Sequence, residues 1–354
     1  MKQTRECKHT LSEIINQPLA WAATIDIVEA KSDELLELMD GVDEIVFTGC
    51  GSALNVSVTA AATFQQLTGI RARAVPAADL EFFPDTVFAS DGAYLVVPIS
   101  RSGSTTETVM ASDVATGRGI KTLAITCYPD SPLACRSTRT LTLEPANEQS
   151  VTTTQSLTSM ILTTQLISGI IAERSDYLAE LRLLPELGQQ VIDRYGEMGR
   201  EVAETASITK FAFVGSGPYL GLARESQLKI KEMTLLPSDS YPVLDYRHGP
   251  KSNVDEEMLV TLFMSDRGRR IEVEFLEEMK YLNGNVLVIC DKAELDTANC
   301  ADYSAEVNSG LCDMARGILY MPPIHFLAYY KSLALGQDPD NPRNLTYWVE
   351  TLRL

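Results

Sequence analysis

Ser100, Ser102, Ser104 and Thr105 place four hydroxyls within six residues, around a single glycine, Gly103. An apolar run, Tyr94–Ile99, precedes them, and a stretch of helical periodicity, Thr106–Thr116, follows. A strand that turns into a helix there presents free backbone N–H groups and the positive end of a helix dipole, which together bind an anion. The hydroxyls add further donors, and Gly103 lets the backbone approach a ligand closely. One hydroxyl suffices to cap a helix, so four point past capping to a bound phosphate. The segment has no Walker lysine, which argues against a nucleotide.

A second constellation lies in Glu225-Ser-Gln-Leu-Lys229-Ile-Lys231-Glu232 and Arg247-His248-Gly249-Pro250-Lys251. Glu225, Lys229 and Glu232 fall at i, i+4 and i+7, so one helical face carries acid, base and acid. A solvated face laced with ion pairs is the commoner use of that pattern. His248 lies in a Gly/Pro-rich turn, where histidine has no packing reason to be. His325, among Ile324, Phe326 and Leu327, reads as a core or helix-face residue, and His9 as a surface one. A carboxylate and a histidine beside a bound sugar phosphate suit proton shuttling between C1 and C2. Histidine can catalyse ring opening, and glutamate can carry the proton. That chemistry needs no metal and no organic cofactor.

An internal repeat positions these groups. Glu44–Ser52 and Lys210–Pro218 both read as a strand ending in Gly-x-Gly, offset by 215 − 49 = 166. Ala93–Ser100 matches Met258–Ser265 at an offset of 265 − 100 = 165, which Gly103/Gly268 and Gly119/Gly284 share. Four matches in register imply two copies of one βαβ-rich unit, each a parallel sheet covered by helices on both faces. Strands are expected near 44–48, 72–75, 94–99, 121–126 and 139–143, then near 210–214, 258–264 and 285–290. Helical stretches are expected at 10–39, at 155–200 with a break at Pro185, and near 323–335, followed by a loop-like tail from Gly336. The copies diverge at the informative loop: the second reads Ser265-Asp-Arg-Gly-Arg-Arg270 and has lost the hydroxyls. One phosphate site per chain is expected, in the first half.

Composition narrows the class. With 354 residues, two domains are expected. A hydrophobic content of 45% and a charged content of 22% are ordinary for a soluble globular protein. A net charge of −18 argues against nucleic acid or an anionic membrane as partner. Seven cysteines form no CxxC pair and have no zinc-like spacing to the three histidines. Buried, reduced thiols in a cytoplasmic protein fit best. Met1–Glu6 has no apolar signal-peptide region. Gln149–Ala172 carries no formal charge and could span a bilayer by length. It is so rich in Ser, Thr and Gln that a buried helix after a polar loop is expected instead.

Together these segments resemble the double-SIS (sugar isomerase) family, from Glu13-Ile-Ile-Asn-Gln-Pro18 to Pro342-Arg-Asn-Leu345. The Ser-x-Ser-Gly-x-Thr loop is that family's phosphosugar signature. The resemblance implies an α/β fold of two tandem SIS domains, each a flavodoxin-like, three-layer αβα sandwich. The divisions would be a helical segment at 1–40, a first SIS domain at 41–180, a second at 195–335 and a tail at 336–354 near the active site. It implies that Ser100, Ser102 and Thr105, with Ser104 among them, hold a phosphate, and that Gly51, Ser52, Val151 and Thr153 line the sugar. Glu232 would be the proton-transfer base and Lys229 an auxiliary polar group. His248 would assist ring opening from the neighbouring subunit, which implies a homodimer or higher homo-oligomer with shared active sites.

The best-known member is the isomerase half of glucosamine-6-phosphate synthase, and this chain departs from it twice. It begins almost at once with the SIS unit, so no glutaminase activity is expected. The synthase's tail lysine, two residues after Pro-Arg-Asn-Leu, is here Tyr347. Tyr246–Ser252 is closer to the stand-alone AgaS-type phosphosugar deaminase/isomerases. The activity implied is deamination of a hexosamine 6-phosphate to a ketohexose 6-phosphate and ammonia. The alternatives are a deglycase acting on a fructosamine-type 6-phosphate and a phosphosugar sensor without catalysis, which would need neither Glu232 nor His248.

Overall fold

Ten short runs of four to six residues form parallel strands in the computed structural model, which describes residues 9–90 and 92–349. They are β1 (Glu44–Gly49), β2 (Arg71–Pro76), β3 (Tyr94–Pro98), β4 (Lys121–Thr126), β5 (Arg139–Thr142), β6 (Lys210–Gly215), β7 (Ser238–Tyr241), β8 (Met258–Phe263), β9 (Asn285–Cys290) and β10 (Tyr303–Glu306). β8 is buried throughout, and β1, β3, β4, β6 and β9 are buried but for their first residue. Helices cover both faces of such strands, which is why they read as unbroken apolar runs. The expected β1 to β6, β8 and β9 are present within one residue or so at either end. β7 and β10 were not expected. They are four-residue edge strands, Ser-Asp-Ser-Tyr and Tyr-Ser-Ala-Glu, with no apolar run to announce them.

The strands make two five-stranded sheets, ordered β2-β1-β3-β4-β5 and β7-β6-β8-β9-β10. The two orders are the same, 2-1-3-4-5, within each copy, as the internal repeat requires. In this flavodoxin-like order the chain runs outward in both directions from the gap between the first and third strands. Ligands of open α/β sheets bind outside the strands' carboxyl ends at that switch point. The molecule therefore has two such places, one at β1/β3 and one at β6/β8.

Eight longer helices pack around the sheets: α1 (His9–Glu29), α2 (Ser52–Thr68), α3 (Thr106–Gly117), α4 (Gln155–Ile171), α5 (Leu184–Glu204), α6 (Tyr219–Thr234), α7 (Arg269–Tyr281) and α8 (Met321–Ala334). The stretch at 10–39 is two helices, α1 and Ser32–Leu38. The stretch at 155–200 is three: α4, Ser175–Leu181 and α5. Pro185 lies in the first turn of α5, where its missing N–H costs nothing. The chain breaks earlier, at Glu173, which has φ of 52°. α4 is the buried helix expected at 149–172, and every residue of it up to Ile170 is buried. Several of its hydroxyls tolerate this because they bond back along the helix, Thr163 to the Ser159 carbonyl at 2.9 Å and Ser168 to the Thr164 carbonyl at 2.7 Å.

Asp340, in the segment after α8, caps the far end of the chain. Its carboxylate accepts from the Thr10 N–H at 2.8 Å and the His9 N–H at 3.3 Å, two of the free donors at the start of α1. His9 is exposed and His325 fully buried, as expected. α8, which carries His325, packs between α5 and α6, and neither imidazole nitrogen has a hydrogen-bond partner among the described residues. Burial, with Lys229 nearby as a second cause, pulls this imidazole down to about 3. An unfolded histidine takes its proton near pH 6.5 and the folded one does not, so stability present above pH 6.5 is lost as the pH falls toward 3. Between pH 6.5 and 5 the loss from this residue should be about 2 kcal/mol. Urea unfolding at both pH values should show a His325→Leu variant losing that much less than the parent. Equal losses would place the acid sensitivity elsewhere.

Candidate active site

At the β1/β3 switch point lies a cavity of about 300 Å³. Its floor is the loop between β3 and α3. Gly103 there has φ of 60°, and a Cβ at this position would stand 2.1 Å from Ser131 Oγ. Both the backbone conformation and the space exclude any other residue. The Gly103 N–H donates to Ser100 Oγ at 3.1 Å and the Ser104 N–H to Ser102 Oγ at 3.1 Å, which curls the loop around the start of α3. Thr105 is the N-cap residue of α3 by position, but its hydroxyl makes no capping bond and lies 3.3 Å from Ser100 Oγ. Ser100, Ser102 and Thr105 line the cavity. Ser104 does not: its hydroxyl donates back to the Ser102 carbonyl at 3.3 Å. A Ser102→Ala substitution removes one hydrogen bond to a charged ligand, so 6-phosphosugar affinity should fall by about 1.5–3 kcal/mol. Calorimetry returning the parental Kd would remove the phosphate from this loop.

The opposite wall comes from the second lobe. α6 carries the acid–base–acid face, and the face is buried rather than solvated: Glu225 is 1% exposed and Lys229 fully buried. Lys229 Nζ lies 2.5 Å from Glu232 Oε2, 3.3 Å from Glu225 Oε1 and 3.3 Å from Thr153 Oγ1. Glu225 in turn accepts from Ser52 Oγ and Asn55 Nδ2, each at 2.9 Å, and Thr153 Oγ1 donates to Ser52 Oγ at 3.1 Å. Four of the expected site residues, Ser52, Thr153, Lys229 and Glu232, thus join one network that bridges the lobes. Burial disfavours the Lys229 charge, but Glu232 and Glu225 outweigh it and hold its pKa above the ordinary lysine value. Burial, helped by the like charge of Glu225 and opposed by Lys229, holds the Glu232 carboxyl above the usual carboxylate value. Glu232 faces the cavity together with Gly51, Ser52, Val151 and Thr153, whereas Lys229 stands one layer behind.

The third wall is the segment Asn344–Val349. It is held by Arg101, the residue between Ser100 and Ser102. Arg101 donates to the carbonyls of Ser150 at 3.0 Å, Val151 at 2.9 Å and Tyr347 at 3.1 Å, and its guanidinium lies 3.9 Å above the Tyr347 ring. The Tyr347 hydroxyl lies within 3.0 Å of Asn147 Oδ1 and 2.8 Å of the Glu148 carbonyl, and burial raises its pKa above the ordinary tyrosine value. The ring and these two contacts close the wall at this point. Sequence reasoning missed Arg101, because an arginine between serines reads as one more anion ligand. It also missed Glu13 and Glu148. Glu148 accepts from the Thr154 N–H at 2.6 Å and from Ser156 Oγ, and Glu13 accepts from the Gln149 N–H at 2.6 Å and from Ser150 Oγ. The available signal was the density of hydroxyls between 150 and 159, which need buried acceptors.

His248 is not brought to this cavity. It is exposed in a turn that Arg247 and Lys251 pin to Glu278, each at 2.6 Å. Among the described residues no group of three or more His, Cys, Asp or Glu side chains is placed to hold a metal ion, and no helix is long and apolar enough to cross a membrane. The stretch Met1–Glu6, read for a signal peptide, lies outside the described residues.

Comparison with known proteins yields a consistent picture. The model of the SIS domain matches residues 39–168 and 206–313. The glutamine–fructose-6-phosphate aminotransferase (isomerizing) of Pyrobaculum aerophilum is 28% identical over 96% of this chain. The chain spans only 57% of that relative's length, a little over half. A Streptomyces coelicolor protein with the provisional name D-galactosamine-6-phosphate deaminase AgaS is 30% identical over 94% of this chain and 91% of its own. The crystal structure of tagatose-6-phosphate ketose/aldose isomerase from Escherichia coli superposes with a TM-score of 0.85 at 25% identity, covering 94% of both chains.

Proposed function

The chain belongs to the SIS domain family, and from that premise we propose that it is a phosphosugar isomerase that deaminates a hexosamine 6-phosphate. One observation supports the reading: a hydroxyl-rich helix start and a half-buried carboxylate with raised proton affinity line the same cavity of about 300 Å³. A hydroxyl-lined helix start takes the 6-phosphate, which orients the open-chain sugar with C1 and C2 toward Glu232. Glu232 removes the proton from C2 and returns it to C1, leaving an imine at C2. Water adds to that imine and ammonia leaves, giving the ketohexose 6-phosphate. Lys229 stays protonated between its two acids and stabilises the charge on Glu232 as it turns over. His248 of a second copy opens the sugar ring. A near-full-length relative carrying a deaminase name supports an amine-bearing substrate over a plain aldose.

The test is a panel of 6-phosphosugars, with gluco and galacto hexosamines, their ketoses and a fructose–amino acid conjugate, assayed for ammonia and ketose. Ammonia and ketohexose 6-phosphate in equal amounts from a hexosamine 6-phosphate is the expected result. Release of an amino acid from the conjugate alone would make the chain a deglycase. Tight binding without turnover of any member would make it a sensor.

A further inference from the structure

The offset of 165 that pairs Ser100 with Ser265 and Gly103 with Gly268 also pairs Glu107 with Glu272, since 272 − 107 = 165. Each glutamate stands in the first turn of the helix after its loop, α3 or α7. In the second lobe that carboxylate is consumed internally. Glu272 accepts from the Ser265 N–H at 2.8 Å and from Ser265 Oγ at 3.1 Å. In the first lobe the same position is released. The Ser100 N–H donates instead to the Ile125 carbonyl at 3.0 Å, and Ser100 Oγ accepts from the Gly103 N–H and lies beside Thr105 Oγ1. Glu107 Oε2 is left buried with no hydrogen-bond partner among the described residues. A glutamate in a first turn gains from the helix dipole in either lobe, so the dipole does not account for the difference.

Glu107 lines the same cavity as Ser100, Ser102, Thr105 and Glu232, and at about 300 Å³ that cavity has the size for one small ligand. Glu107 lies on the side of Cys50, the residue before Gly51 and Ser52. The neighbouring Thr108 Oγ1 is 3.9 Å from Cys50 Sγ, and burial, with the Glu107 charge as a further cause, raises that thiol's pKa. Among the described residues the lining has one basic side chain, Arg101, and it is spent on the carbonyls of Ser150, Val151 and Tyr347. Glu232 has Lys229 beside it; Glu107 has no such cation. A sugar phosphate without a positive charge therefore adds its own negative charge to an uncompensated carboxylate. An amino-sugar phosphate brings the missing cation, and an ammonium on a partly desolvated carboxylate makes a strong, charge-assisted hydrogen bond. Resting on the deaminase reading above, we propose that Glu107 is a specificity-determining residue of this site: its carboxylate takes the ammonium group at C2 and so selects amino-sugar phosphates over those with a hydroxyl there.

The test is calorimetry on the full chain near neutral pH with two open-chain probes, 2-amino-2-deoxy-D-glucitol 6-phosphate and D-glucitol 6-phosphate. They differ only in the group at C2, and without a carbonyl neither can turn over. The parent should bind the amine about tenfold or more tightly than the alcohol, the worth of one charged hydrogen bond. Glu107→Gln keeps the size and a polar tip but loses the charge. It should remove most of that preference by weakening the amine, while the alcohol binds as tightly as before or more so. A parent with no preference for the amine would overturn the proposal before any variant is made. An unchanged preference in Glu107→Gln would overturn it and leave the deaminase reading standing. Equal weakening of both probes would also overturn it, since Glu107 would then only support the loop. Binding of neither probe by the parent would overturn the proposal and the deaminase reading together.

Discussion

Glu232→Gln should lower turnover by a factor on the order of 10²–10⁴, the usual cost of removing a general base, while 6-phosphosugar binding stays near parental. Glutamine keeps the length of the side chain and can still accept from Lys229, whose Nζ lies 2.5 Å from the carboxylate. It cannot accept a proton from carbon. The decisive readout is exchange of deuterium into C2 of the sugar phosphate in heavy water, because it isolates the proton-transfer step from imine hydrolysis. Exchange at the parental rate in the variant would take Glu232 out of the mechanism, and Glu225 or Lys229 would be the next candidate. The pH profile supplies an independent check. A base must be deprotonated to act, and burial holds the Glu232 carboxyl above the usual 4.5. Turnover should therefore be present above that raised value and fall as the pH drops through it, with the acid limb displaced upward from an ordinary glutamate's.

A mixed dimer of a Glu232→Gln chain and a His248→Ala chain should recover activity that neither homodimer has. His248 is exposed and outside the cavity that Glu232 faces, so in the proposed mechanism it serves a neighbour's sugar. In the mixed dimer one of the two sites has both groups intact, and activity should return to about half the parental value per dimer. No recovery after verified subunit exchange would mean that each chain builds its own site, and His248 would then have no part in ring opening.

The parts of this molecule that could be read in advance are those where one physical demand dominates. Central strands such as β8 must be apolar along their whole length, so their positions were visible. The repeat of Gly49 at Gly215 and of Ser100 at Ser265 exposed the two-lobed topology because close backbone turns tolerate few residues. Edge strands β7 and β10 face weaker demands and left no trace. Ser100, Ser102, Thr105 and Glu232 do line one cavity, and they could be picked out because each belongs to a pattern local to a loop or a helix face. Arg101 was not, since its role depends on Val151 and Tyr347, 50 and 246 residues away in sequence. Ser104 was counted with its neighbours because spacing alone does not tell which hydroxyls of a curled loop turn inward. The face of α6 showed its charges, but only packing against α2 reveals that those charges are buried.

The contacts of Asp340 with the start of α1, and of Tyr347 with Arg101, set the order in which the protein can become functional as it is synthesised. All five strands of the first sheet have been made by residue 142, and a nascent chain can begin to assemble them while it is still on the ribosome. The donors at His9 and Thr10 must wait for a residue some 330 positions later, and the stack on Arg101 waits longer still. Closing loops of that length is entropically slow and comes late in folding. A nascent chain can therefore hold the first sheet before the candidate site has gained that wall, and a chain stalled before α6 would lack the Glu232 face as well. For the same reason, a bulky insertion next to Asn344–Val349 would disturb the candidate site even though it is remote from Ser100 and Glu232 in sequence.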